Sequence, residues 1–179
     1  MACSTISGVT YSLCESNMGG VKAIYLANRE DVASVQTGTS ETIEGACIAT
    51  ITMASGHTFQ EFLVRKNTCS MTSTLNVSDN GSSYVSTELS IVLRKMDSAK
   101  RMAMNALILG ECYAIVIDAN NIAWLLGFDE AVTCTAGGAE TGTAKADSNQ
   151  YTLTLTDESL EYPYELSASA LAAATGKQG

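Results

Sequence analysis

Apolar and polar side chains alternate through residues 67–96 in the pattern of one long β-hairpin. On its first strand Cys69, Met71, Leu75 and Val77 take the odd positions and Thr68, Ser70, Thr72, Thr74 and Asn76 the even ones, the period of two that a half-buried strand requires. The second strand repeats it, with Val85, Leu89, Ile91 and Leu93 on one face and Ser86, Glu88, Ser90 and Arg94 on the other. Register then selects the turn, because both apolar faces must point the same way. A two-residue Asn80-Gly81 loop sets Leu75 opposite Ser86 and fails. A three-residue loop of Asp79, Asn80 and Gly81 pairs Ser78 with Ser82 and Leu75 with Val85, with Gly81 free to turn left-handed. Such hairpins are marginal alone, so this one is expected to pack or pair with something.

The remaining pattern is also β-rich. Val21–Ala27 reads as a strand, followed by a polar connection to Gly45. Cys47–Met53 and Thr58–Arg65 read as a second hairpin around Ser55-Gly56. Asp97 or Ser98 caps the one strong helix signal, which ends at Gly110 and shows Met102, Ala103, Ala106, Leu107 and Leu109 as its apolar side. Cys112–Ile117 and Ile122–Leu126 are continuous apolar runs around Asp118-Ala119-Asn120-Asn121, the signature of a central hairpin buried on both faces. Residues 136–149 read as a Gly, Ala and Thr loop, and Tyr151, Leu153 and Leu155 alternate with threonines as a last half-buried strand. Residues 1–20 read as an N-terminal arm, 21–166 as a single β-rich domain, and the alanine-rich 167–179 as a C-terminal arm or short helix.

Composition changes the picture mainly by exclusion. At 179 residues the chain suits one domain with a real core. Its net charge of -9 argues against gripping a nucleic-acid backbone, which takes clustered Lys and Arg, although it allows passive contact with DNA. Arg94, Lys95, Lys100 and Arg101 form a short basic run that reads as a solvated face or as inter-subunit ion pairs. Neither a secretory signal nor a membrane span is expected. The six cysteines, at 3, 14, 47, 69, 112 and 134, contain no CxxC pair and read as free, largely buried thiols in a reducing cytoplasm.

Candidate chemistry is thin. His57 is the single histidine and lies in a predicted turn, without a nucleophile elbow around any partner. The Asp79-Asn80-Gly81 and Asp118–Asn121 clusters lack the spacing and closing glutamate of a calcium loop, and turn chemistry accounts for them. Gly137-Gly138 and Gly142 lack a phosphate-loop frame, and Asp129 and Glu130 point apart on a strand. No catalytic residue, metal or cofactor is expected, and the chain is not expected to be an enzyme.

Four stretches carry a resemblance: Gly20-Val-Lys-Ala-Ile-Tyr-Leu-Ala-Asn28, Thr52-Met-Ala-Ser-Gly56, Trp124-Leu-Leu-Gly127, and Thr141 through Asp147 to Tyr151 and Thr156. In this order the chain resembles tail structural proteins of the tail tube kind, encoded by phages of Bacteroides-like gut bacteria. The likeness covers most of the chain after Gly20 and departs at Gln150, where the family often has Gly. It implies a mainly β, sandwich- or barrel-like domain with the long amphipathic hairpin and one flanking α-helix. It also implies homo-oligomeric hexameric rings, stacked into a tube in the virion tail after assembly in the host cytoplasm. Other tail proteins would be partners, and DNA would pass through without sequence-specific binding and without a membrane. The hairpin would join neighbours edge to edge, and the arms and residues 136–149 would touch adjacent subunits.

Under that reading Thr68, Ser70, Thr72, Thr74, Asn76, Ser86, Glu88 and Ser90 line the channel. Met71, Leu75, Val77, Val85, Leu89, Ile91 and Leu93 form the hairpin's core face. A head–tail connector or tail terminator would share this character. A carbohydrate-binding sandwich would need more exposed aromatics than Tyr162 and Tyr164.

Overall fold

The computed structural model describes residues 8–9, 17–38 and 47–176. It is mainly β, with three sheets and two helices. The central sheet has five strands in the order β11 (Tyr164–Glu165), β8 (Ala123–Leu126), β7 (Cys112–Asp118), β1 (Val21–Asn28) and β4 (Gln60–Phe62). The reason it is central lies in the runs themselves. Strand β7 sends Cys112, Ala114 and Val116 into one hydrophobic cluster and Ile115 into another, and β1 splits Ile24 and Leu26 from Tyr25 and Ala27 in the same way. Apolar side chains at successive positions face opposite sides of a sheet, so both sides must be covered.

One side is covered by the four-stranded sheet β5 (Ser70–Val77), β6 (Ser83–Arg94), β10 (Gln150–Ser159) and β9 (Thr133–Glu140), in that order. The two sheets enclose a core of Ile24, Leu89, Ile91, Val116, Leu153 and Leu155. The other side is covered by the pair β2 (Val32–Thr37) and β3 (Ile48–Met53), with helix α2 (Ala168–Thr175) beside them. Helix α1 (Ser98–Leu109) begins where Asp97 accepts a hydrogen bond from the Lys100 amide, as the capping pattern predicts.

The long hairpin has the expected register. Leu75 stands opposite Val85, the Ser78 amide donates to the Ser82 carbonyl at 2.9 Å, and Gly81 has φ +86°. The central hairpin also forms, with Asn121 at φ +66° and the Asp118 carboxylate accepting from the amides of Asn120 and Ile122.

Several expectations are corrected. The stretch before Gly45 is more than a connection, because a 3-10 turn at Arg29–Asp31 leads into β2, which pairs with β3. Strands β3 and β4 therefore form no hairpin. After Gly56, at φ +85°, the chain crosses between sheets and β4 pairs with β1, while Phe59 is buried with its amide donating to Ala174. Residues 136–140 extend β9 instead of forming a loop. Gly137 and Gly138 carry no strand propensity, but β10 supplies the ladder, and a Cβ on Gly138 would stand 3.2 Å from Thr152 Oγ1.

The C-terminal segment is no arm through residue 175: Ala170 and Ala174 bury α2 in the second core. Most of the predicted N-terminal arm lies outside the described residues, as do Cys3, Cys14 and residues 39–46. On α1 the buried residues are Met104 and Leu107, whereas Met102 and Leu109 face solvent.

The hairpin's core face ends early. Val85, Leu89, Ile91 and Leu93 are buried and Met71 is half-buried, but Leu75 is 52 % and Val77 69 % exposed. The hairpin outruns the sheet beneath it. Leu89→Ala is expected to cost about 2–5 kcal/mol through lost burial and a residual cavity, and Leu75→Ala about 1 kcal/mol or less. Chemical denaturation of both variants checks this, and equal losses would refute the placement of the tip.

Candidate assembly surfaces

The outer face of the four-stranded sheet is built from short hydroxyl side chains. Cross-strand register sets Thr72, Glu88, Thr156 and Thr133 in one row, and Ser70, Ser90 and Thr154 in the next. Thr74 and Ser86 share a row with Glu158, and Thr135 Oγ1 lies 2.7 Å from Thr156 Oγ1. No other layer of the described residues covers this face. The structure thus brings Ser70, Thr72, Thr74, Asn76, Ser86, Glu88 and Ser90 onto one surface. Thr68 is not on it: it precedes β5 in a turn, where its hydroxyl donates to the Arg65 carbonyl at 2.6 Å. The β10 and β9 threonines were missing from the hairpin reading. Their own alternation carried the signal, but only pairing with β6 extends the carpet across four strands.

Charge on this face is sparse and acidic. Glu88, Glu140 and Glu158 share it with Arg94, and Glu140 accepts from Gln150 Nε2 at 2.6 Å. Glu88 has threonines on both sides of its row, so its charge is left to water within the chain.

The two edges of this sheet are open among the described residues. The Ser78–Ser82 hydrogen bond fixes the parity of the β5–β6 ladder. It follows that Met71, Ser73, Leu75 and Val77 turn their N–H and C=O groups away from β6, outward from the edge. Near the tip this edge is also apolar. Leu75, Val77, Leu160 and Tyr162 are exposed beside a groove lined by Val85, Trp124 and Tyr164. A large apolar side chain in water is ordinary, but a group of them along an unpaired edge strand is a docking signature.

A polar stripe interrupts the inner face between the buried Leu89 and Val85. Ser73, Thr87 and Asp157 lie side by side on the inner face, with Ser73 Oγ 2.8 Å from Thr87 Oγ1 and Ser159 Oγ donating to Asp157 at 3.1 Å. Asp157 is only 3 % exposed. Burial pushes its carboxyl above the usual 3.8, against the hydrogen bonds from the Gly127 amide and Ser159, with Asp129 and Glu130 adding to the rise.

The remaining candidate chemistry is structural in its contacts. His57 Nδ1 lies 2.7 Å from Asp31 Oδ1 and ties the β3–β4 connection to the 3-10 turn. Burial pushes the Cys112 thiol up to about 12, so it stays protonated as a small core side chain. Cys69, Cys112 and Cys134 are free thiols. The Tyr164 hydroxyl donates to Glu161, which pushes the phenol up to about 12. No group of His, Cys, Asp and Glu among the described residues has the arrangement of a metal site.

Comparison with protein-family models, with curated proteins and with solved structures returns no match.

Because the folded Asp157 holds its proton to higher pH than the unfolded one, folding takes up a proton between the two values, and stability falls as pH rises through that window. The penalty persists above it. Asp157→Asn is therefore expected to raise the melting temperature more at pH 7 than at pH 4. An equal change at both would refute the carboxylate's part.

Proposed function

We propose that this chain is a structural subunit of a phage tail tube, which assembles head-to-tail into six-fold rings that stack around a channel for DNA. The observation that carries the reading is the four-stranded sheet with a hydroxyl outer face and two open edges. Its neighbouring strands are all antiparallel, and because their number is even, β5 and β9 also run opposite to each other. Joining β9 of one copy to β5 of the next keeps the alternation unbroken, and a closed ring leaves no edge. The surface that curves around the channel is then the uncovered one, since the other face is committed to the core.

Size favours a large ring. With strands about 4.8 Å apart and tilted about 40°, four strands from each of six copies make a barrel about 48 Å across the backbone. Three copies would give about 24 Å across the backbone, narrowed further by the inward side chains. Only the larger barrel leaves room for a hydrated duplex.

The wall chemistry suits passage over binding. Serine and threonine hydroxyls hold water, and Glu88 repeats a negative charge in each copy. Lys or Arg in their place would hold phosphates by releasing counterions. In electron micrographs the purified protein is expected to form rings of six or tubes, and a stable monomer at high concentration would refute the proposal. In a phage carrying this gene, Glu88→Lys is expected to leave tubes intact and slow genome delivery. Lost assembly would assign Glu88 to an inter-subunit ion pair, and an unchanged phage would remove it from both roles.

A further inference from the structure

Helix α1 is apolar on two opposite sides. Met104 and Leu107 face the core, while Met102 and Leu109, spaced i and i+7, form a second stripe toward solvent. Met102 is 70 % and Leu109 89 % exposed. One stripe suffices to hold a surface helix to its own domain. A second one marks a helix that is buried on both sides in its working state.

The position of α1 says against what. It packs beside β9 and, through Ala103, Ala106 and Leu107, shares a cleft with Gln60 and Phe62 of β4. It therefore plugs the gap between the two sheets on the β9–β4 flank. On the opposite flank, between β5 and the β8–β11 edge, no helix of the described residues fills the same gap. Two grooves meet there at Trp124, one reaching Met71 and Val116, the other Leu75 and Leu160. The charges differ as well. Helix α1 carries Arg101 beside a Lys100 that is paired with the N-cap Asp97, whereas Asp118, Glu161 and Glu165 border the grooves.

We infer that the solvent-facing stripe of α1 in one copy fills the apolar trough between β5 and β8 of the next copy. This rests on the ring reading and deepens it. When β9 of one copy meets β5 of its neighbour, the helix behind β9 arrives opposite the trough behind β5. The barrel wall is then joined twice, by a backbone ladder facing the channel and by a helix seated in a groove behind it. The contact is heterologous, because the two surfaces are different and lie on opposite flanks, so it propagates around a ring and cannot close a two-fold dimer. The exposed Leu160 and Tyr162 at the trough are the side chains it covers.

The test uses the full chain with Leu109→Glu, Met102→Glu and Tyr162→Arg singly, and with Leu109→Glu and Tyr162→Arg together. Assembly is read by sedimentation and electron microscopy, and folding by the melt of the dissociated chain. Each single change is expected to raise the protein concentration needed for assembly at least tenfold while leaving the melt unchanged, and the double change is expected to recover assembly. If the unaltered chain assembles and the single variants do so equally well, the helix contact is refuted and the ring reading stands. Single variants that fail with no recovery in the double would also refute the pairing of these two surfaces. If the unaltered chain stays monomeric, the ring reading fails and this contact with it.

Discussion

The structure depends on the two-sided burial of β1, β7 and β8. Their apolar runs place hydrophobic side chains on both faces of the central sheet, and neither face is tolerable in water. Burying both takes three layers, which the chain supplies from its remaining parts: β2, β3 and α2 on one side, and the sheet of β5, β6, β10 and β9 on the other. Everything in these outer layers can afford to be half polar. The threonine and serine face of the four-stranded sheet exists because the core draws only on its inner side.

That division also leaves the unusual surfaces where they are. The hairpin of β5 and β6 continues past the stripe of Ser73, Thr87 and Asp157, where Val85 on β6 is still buried while Leu75 and Val77 on β5 are exposed. A polar stripe inside a sandwich costs stability unless each member finds a partner, and here the hydroxyls and the carboxylate satisfy one another and nearby amides. No layer of the described residues covers Leu75 and Val77 there, and their exposure adjoins the open β5 edge.

The two flanks of the sandwich are solved differently by the same fold. Helix α1 fills one gap between the sheets because the link from β6 to β7 must pass from one sheet to the other, and a helix spans that distance while burying Met104 and Leu107. On the other flank the chain crosses from β10 to β11 through the short link 160–163, and the grooves remain beside it among the described residues. The two flanks differ in that a helix lies against one and a short irregular link against the other.

Local pattern by itself determined the long hairpin with its three-residue turn, the cap and extent of α1, and the double burial of the central hairpin. Each is decided within a few residues by alternation, by left-handed turn dihedrals or by a capping side chain. Tertiary pairing decided the rest. Gly137 and Gly138 form a strand because β10 lies beside them, and β3 turns away from β4 because β2 and β1 offer better partners. The apolar side predicted for α1 is buried at Leu107 but not at Met102 or Leu109, because both sides are apolar and only the neighbouring sheets distinguish Leu107 from Leu109. The hydroxyl surface was half legible for the same reason. Alternation marks a polar face on each strand, but hydrogen bonding between β6 and β10, far apart in sequence, makes those faces one surface.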